Sequence, residues 1–336
     1  MLIAGAVAVL TGLGGASAKP RPHPGQPLGS VAGGSVAAGS PAAGAPASPN
    51  DGPFAVGIRT LRFVDRSRTV RFPGQAPSPR TLVTVIRYPA VGPSGAVDLP
   101  GAAPARAAGR FPLVIFGHGF AVTPGPYARL LQAWARAGFV VAAPIFPLGN
   151  AYAPGGPNES DIVNQPRDMS FVISQMLALD RGRYGLFSHL IARRQIAVSG
   201  QSDGGVTALA AAYDRFYLDR RVRAAVILSG AELPGDGFTF PAPSPPLLAT
   251  QGTADTTNRP ANTYNFWGAA PRPKFLLKLI GAQHLPPYTI QEPQLGIVER
   301  VTVAFLDHYL KGTPRSLRAM SSAGNARGLA ALTADP

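Results

Sequence analysis

The 336-residue sequence contains no cysteine. That absence excludes disulfides, thiolate metal sites and a cysteine nucleophile together. Acidic residues are few: 17 Asp and Glu stand against 31 Lys and Arg, a net charge of +14. The arginines are scattered along the chain rather than grouped on one helix. The excess therefore reads as a solvated basic surface, with no nucleic acid among the expected partners. Histidines number only five, so the candidates for a general base are quickly sorted. A long membrane-spanning run is missing as well. The apolar start, residues 1–18, is too short and glycine-rich for a good span and ends in Ala16-Ser17-Ala18. It reads as a signal peptide, although no Lys or Arg precedes it, and predicts a secreted protein without membrane insertion.

What is present divides the chain into unequal parts. Residues 19–52 are dominated by Pro, Gly, Ala and Ser, which bury too little to repay their ordering entropy and predict a disordered leader. The globular domain is expected over 53–314, with 315–336 a small, polar, flexible tail. Within the domain, residues 54–65 alternate apolar and polar positions and 81–89 do the same, predicting an antiparallel pair of half-buried strands. An unbroken apolar run at 112–116, and mostly apolar runs at 139–146, 196–198, 223–230, 246–252 and 274–281, follow as buried parallel strands. Helices are predicted at 126–137, 167–179, from about Gly205, and at 294–310. Strands alternating with helices give an α/β fold: a doubly wound, mostly parallel sheet of eight or nine strands, with no large cap.

The chemistry centres on residues 195–206, QIAVSGQSDGGV. A short strand runs into Gly200-Gln201-Ser202-Asp203-Gly204 and then a helix, the G-x-S-x-G nucleophile-elbow pattern. In parallel sheets, functional groups gather beyond the carboxyl ends of the strands. That rule selects Asp255, just after 246–252, and His284, just after 274–281. His284 would take the Ser202 proton, and Asp255 would hold the imidazole and stabilise its charged form. Asp255 also fits as a cap for residues 256–266, which leaves Asp236 as the alternative acid. His23 lies in the leader, His189 before a strand and His308 inside the last helix. His118 belongs to Gly117-His118-Gly119-Phe120, a turn that presents backbone amides to the serine. The expected oxyanion hole is the amides of Phe120 and Asp203.

These motifs resemble the α/β-hydrolase superfamily. The closer likeness is to secreted actinobacterial carboxylic-ester hydrolases of the chlorophyllase, platelet-activating-factor acetylhydrolase and cutinase or polyester-hydrolase neighbourhood. It is carried by LVIFGHGF, WARAGFVVAAPIFPL, NQPRDMSFVI, IAVSGQSDGG, LLATQGTAD and GAQHL. The resemblance implies a serine esterase with an acyl-enzyme at Ser202, no cofactor and no metal. It also implies Phe120 at the substrate cleft, with Gln201 as a second substrate-binding residue. Two positions depart from it: relatives carry His or Trp where Gln201 stands, and Met, Leu, Phe or Arg where Asp203 stands. The expected partner is a small or polymeric ester bound by a monomer. An amide or peptide hydrolase with the same triad, or a non-catalytic basic binding protein, are the alternatives.

Overall fold

The computed structural model describes residues 54–235 and 238–336. The expected signal peptide and leader, His23 and Asp236 lie outside them. The chain begins with β1 (Ala55–Val70) and β2 (Ser78–Ala90), an antiparallel hairpin in which Ala55 pairs with Ala90. A two-residue strand, β3 (Leu99–Pro100), borders β1. Then come the buried strands β4 (Phe111–Gly117), β5 (Val140–Ile145), β6 (Ile191–Gln201), β7 (Ala224–Leu228), β8 (Leu247–Gly252) and β9 (Lys274–Leu279). These six are parallel to one another, and β10 (Ala330–Asp335) closes the edge antiparallel to β9. The order is β10-β9-β8-β7-β6-β4-β5-β2-β1-β3.

Both faces of the sheet are covered because the central strands are apolar on both. Along β4, Leu113 and Ile115 enter one core and Val114 and Phe116 the other. Helices α2 (Gln165–Arg181), α3 (Asp203–Tyr213) and α4 (Pro260–Ala269) cover the first face with Met169, Leu209 and Phe266. Helices α1 (Ala128–Arg136) and α5 (Gln294–Lys311) cover the second with Trp134 and Phe305. Prolines open α2 and α4 in their first turn, where a missing amide proton costs nothing. Gly312, at φ 69°, sends its amide back to the Asp307 and His308 carbonyls and ends α5. The chain leaves β4 towards β5 on one side and pairs β4 with β6 on the other. This reversal of direction opens a crevice at the strands' carboxyl ends.

The expected flexible tail is corrected by the structure. Residues 316–324 form helix α6 (Ser316–Gly324), and β10 pairs with β9 from Ala330 opposite Leu279 to Asp335 opposite Lys274. The buried positions of α6 are Ser316, Met320 and Gly324, a single stripe at a spacing of four residues. Two of those three are small, so the stripe carries almost no hydrophobic signal in the sequence. An edge strand likewise needs no continuous apolar run. Strands β3 and β10 are also the two beyond the eight that the sequence patterns mark.

One buried ionic cluster fixes the segment beside the crevice. Arg80 of β2, 2% exposed, forks onto both oxygens of Asp161 at 2.9 and 2.7 Å and both oxygens of Asp168 at 2.7 and 2.6 Å. Burial works against its charge, but the hydrogen bonds and fields of Asp168 and Asp161 outweigh it and hold the guanidinium well above its ordinary pKa. Arg80→Ala leaves two carboxylates buried without this partner. It is expected to lower the unfolding free energy by about 3–5 kcal/mol, read from urea denaturation. A loss below about 1 kcal/mol, the range of surface pairs, would contradict the cluster's structural role.

Candidate active site

The site forms where β4 and β6 lie side by side, with Gly117 paired to Gly200. Beyond β6 the chain turns sharply into α3. Ser202 occupies the turn at φ 55° and ψ −124°, a conformation that L residues rarely adopt. It is held there by its amide, which donates to Leu228 O at 3.0 Å, while its carbonyl accepts from the Val206 amide at 2.9 Å. The flanking glycines are required by close approach. A Cβ on Gly200 would lie 2.0 Å from Gly204 O, and one on Gly204 would lie 2.0 Å from Gly117 O. The strained serine is thus lifted out of the sheet at the N-terminus of α3.

The structure brings Ser202, His284 and Asp255 together. His284 Nε2 lies 2.8 Å from Ser202 Oγ, and Nδ1 lies 2.8 Å from Asp255 Oδ2. With Nδ1–H donated to the carboxylate, Nε2 is left to accept the serine proton. Asp255 is 3% exposed and its remaining acceptor capacity is filled. Its Oδ1 accepts from the amides of Thr257 at 3.0 Å and Asn258 at 2.9 Å, and its Oδ2 also accepts from Gln251 Nε2 at 3.1 Å. The turn-capping and histidine-orienting readings of Asp255 therefore hold at once, one on each oxygen. Helix α4 starts later, at Pro260.

The loop after β4 reaches the same point. A Cβ on Gly119 would sit 3.2 Å from Ser202 Cβ, so the backbone at Gly119 and Phe120 borders the nucleophile. Among the described residues, neither the Phe120 amide nor the Asp203 amide donates to a protein acceptor. Both stay available to an oxygen placed beside Ser202 Oγ. His118 supports this loop. The Phe146 amide donates to its Nε2 at 3.0 Å, so Nδ1 carries the proton and donates to Gly119 O at 2.8 Å. Complete burial depresses its pKa to about 4, against a small opposing effect of that last bond, and keeps the ring neutral.

Asp203 is the unusual neighbour. It is the first residue of α3, and its Oδ2 is buried without a hydrogen-bond partner. Burial first, and then the field of Glu159, push its pKa up to about 7, while His284 pulls the other way. Near neutrality the group next to the serine is therefore half protonated.

The aromatic side chains differ in burial. Phe120 is 37% exposed at the site, and Tyr152 is also exposed. Phe146 and Tyr288 are fully buried, the latter with its hydroxyl between Ser229 and Thr250. Phe238 and Phe240 pack on each other and towards Tyr213, at the far end of α3 from Ser202.

Gln201 differs from expectation. It is 1% exposed and cannot line a cleft. Its Oε1 accepts from Tyr127 Oη at 2.7 Å, and its Nε2 donates to His284 O at 3.1 Å. The side chain points under the histidine because β6 ends one residue before the turn, with Gln201 facing inward and Ser202 outward. Tyr127, Gln251 and Asn258 were not legible as parts of the site. Tyr127 precedes an amphipathic helix whose apolar pattern masks the one hydroxyl that matters.

A family model, Chlorophyllase, matches residues 99–229. The matched stretch carries the Gly117–Phe120 loop and the Ser202 elbow and stops short of Asp255 and His284. No curated protein matches the chain.

Proposed function

We infer that this chain, an α/β-hydrolase by its fold and family match, is a serine esterase that cleaves carboxylic esters through an acyl-enzyme at Ser202. The observation that carries the reading is the unbroken hydrogen-bonded line from Ser202 Oγ through His284 to the buried carboxylate of Asp255, with both links at 2.8 Å.

In this mechanism Ser202 Oγ attacks the ester carbonyl as His284 Nε2 takes its proton. Asp255 stabilises the imidazolium that forms. The carbonyl oxygen becomes negative between the Phe120 and Asp203 amides, where fixed dipoles need no reorganisation. Loss of one such donor typically costs about 2.7–4 kcal/mol of transition-state stabilisation. The imidazolium then protonates the leaving alkoxide, and water repeats the sequence on the acyl-enzyme.

An open mouth favours small acyl esters or exposed polyester chains over long lipids. Among the described residues, the connection from β7 to β8 holds no helix that would form a lid. Export, read from residues 1–18, and action as a monomer complete the proposal. On a p-nitrophenyl series from acetyl to palmitoyl, kcat/KM is expected to peak at the short or medium acyl groups and fall at palmitoyl. A maximum at palmitoyl would contradict the open cleft. Cleavage of an anilide as fast as the ester with the same acyl group would instead favour an amidase.

A further inference from the structure

Three groups outside the triad form a directed chain of hydrogen bonds beneath it that ends on the His284 backbone carbonyl. The Gly119 amide donates to Tyr127 Oη at 3.3 Å. Since Tyr127 Oη accepts there, its own proton goes to Gln201 Oε1 at 2.7 Å. That fixes the orientation of the Gln201 amide, whose Nε2 donates to the His284 carbonyl at 3.1 Å and lies 3.3 Å from His284 Nε2. Each donor and acceptor is used in one sense only. The chain joins the loop that carries the Phe120 amide, the strand that leads into Ser202 and the loop that carries the histidine. Gly119 belongs to the first, Gln201 to the second and His284 to the third.

The cost of burying these groups argues against incidental packing. Tyr127 and Gln201 are 0% and 1% exposed. A buried hydroxyl and a buried amide are costly unless paired, and each is paired chiefly through the other. Apolar side chains of similar size would fill this space without that cost. Burial of Tyr127, opposed by its bond from Gly119 and assisted by the field of Asp203, raises its hydroxyl pKa far above the usual value, so it stays a donor.

We propose that Tyr127 and Gln201 are positioning residues that lock the His284 ring and the Gly119–Phe120 loop into one register around Ser202. This rests on the esterase reading of the site. Neither residue touches the reacting carbonyl. They act by holding the base and the oxyanion donors at fixed separation, where a displacement of about 1 Å can cost up to 10²-fold in rate.

The test uses the full chain with Tyr127→Phe, Gln201→Leu, the double variant and Gln201→Glu, with folding checked by thermal unfolding. Two readouts are taken: kcat and KM on p-nitrophenyl butyrate, and the rate of Ser202 phosphonylation by a fluorophosphonate, which reports activation whatever the natural substrate. Tyr127→Phe and Gln201→Leu are each expected to lower kcat and phosphonylation about tenfold with KM unchanged. The double variant should be no slower than Gln201→Leu, because one broken link disables the chain. Gln201→Glu, buried and facing the His284 carbonyl, is favoured in its protonated form, which can donate the same hydrogen bond, so it should keep kcat and phosphonylation nearer wild type than Gln201→Leu. Folded Tyr127→Phe and Gln201→Leu with kcat and phosphonylation within twofold of wild type, or Gln201→Glu no faster than Gln201→Leu, would overturn the relay. Absent ester turnover by wild type, together with slowed phosphonylation in the variants, would overturn the esterase reading and leave the relay standing.

Discussion

Ser202→Ala is expected to lower kcat on p-nitrophenyl butyrate by about 10⁴-fold or more, with the fold intact. Three features set that size. The hydroxyl is placed to attack, since His284 Nε2 faces it directly at 2.8 Å. No cysteine exists to substitute for it. The elbow strains the backbone at this residue, so alanine at the same φ gains nothing that would compensate. What survives should be the modest catalysis that binding and oxyanion donors supply without a nucleophile. A variant within tenfold of wild type would show that the attacking group lies elsewhere. Stability should change little, because among the described residues Ser202 Oγ bonds to a histidine that is itself partly open to solvent.

The second large effect concerns Asp203. A negative charge on Asp203, whose own amide is one of the proposed oxyanion donors, would oppose the charge that the Phe120 and Asp203 amides are placed to receive. Its pKa of about 7, raised by burial and by Glu159 against the pull of His284, makes the ionised form prevail only above neutrality. The wild-type kcat/KM should therefore fall as pH rises through about 7, and Asp203→Asn should abolish that fall. At about pH 9 the variant is expected to exceed wild type by up to 100-fold, and below pH 6 the two should be similar. Identical basic limbs would show that Asp203 does not govern the profile. Stability should follow the same titration. The folded pKa lies above the ordinary carboxyl value, so the contribution is present at acid pH and is lost as pH rises from about 4 to 7. Asp203→Asn should thus melt higher than wild type at pH 8 by a margin that shrinks in acid.

The sheet and the triad were legible because both obey simple rules. Strands buried on two faces read as mostly apolar runs, as in β4, β5, β7 and the end of β6 from Ile196 to Val198. Ser202 is announced by glycines that its turn cannot do without, and Asp255 and His284 by their place just beyond a strand. The remainder depends on contacts that local sequence does not record. Gln201 follows an apolar strand and looks like a residue entering a cleft. It turns inward because its partners are Tyr127, 74 positions earlier, and His284, 83 positions later. The segment from Ser316 to Asp335 was misread because its helix buries a stripe of mostly small residues and its strand is an edge. The shift at Asp203 came from burial and from Glu159, neither of which a pattern of residue types contains.

The central claim is that a covalent acyl-enzyme forms on Ser202. Its most direct test is the intact mass of the protein quenched in acid during turnover of p-nitrophenyl butyrate, followed by peptide mapping. One added butyryl group on the peptide bearing Ser202, absent from Ser202→Ala, is the predicted result. Turnover without any added group, or a butyryl group that persists in Ser202→Ala, would contradict it.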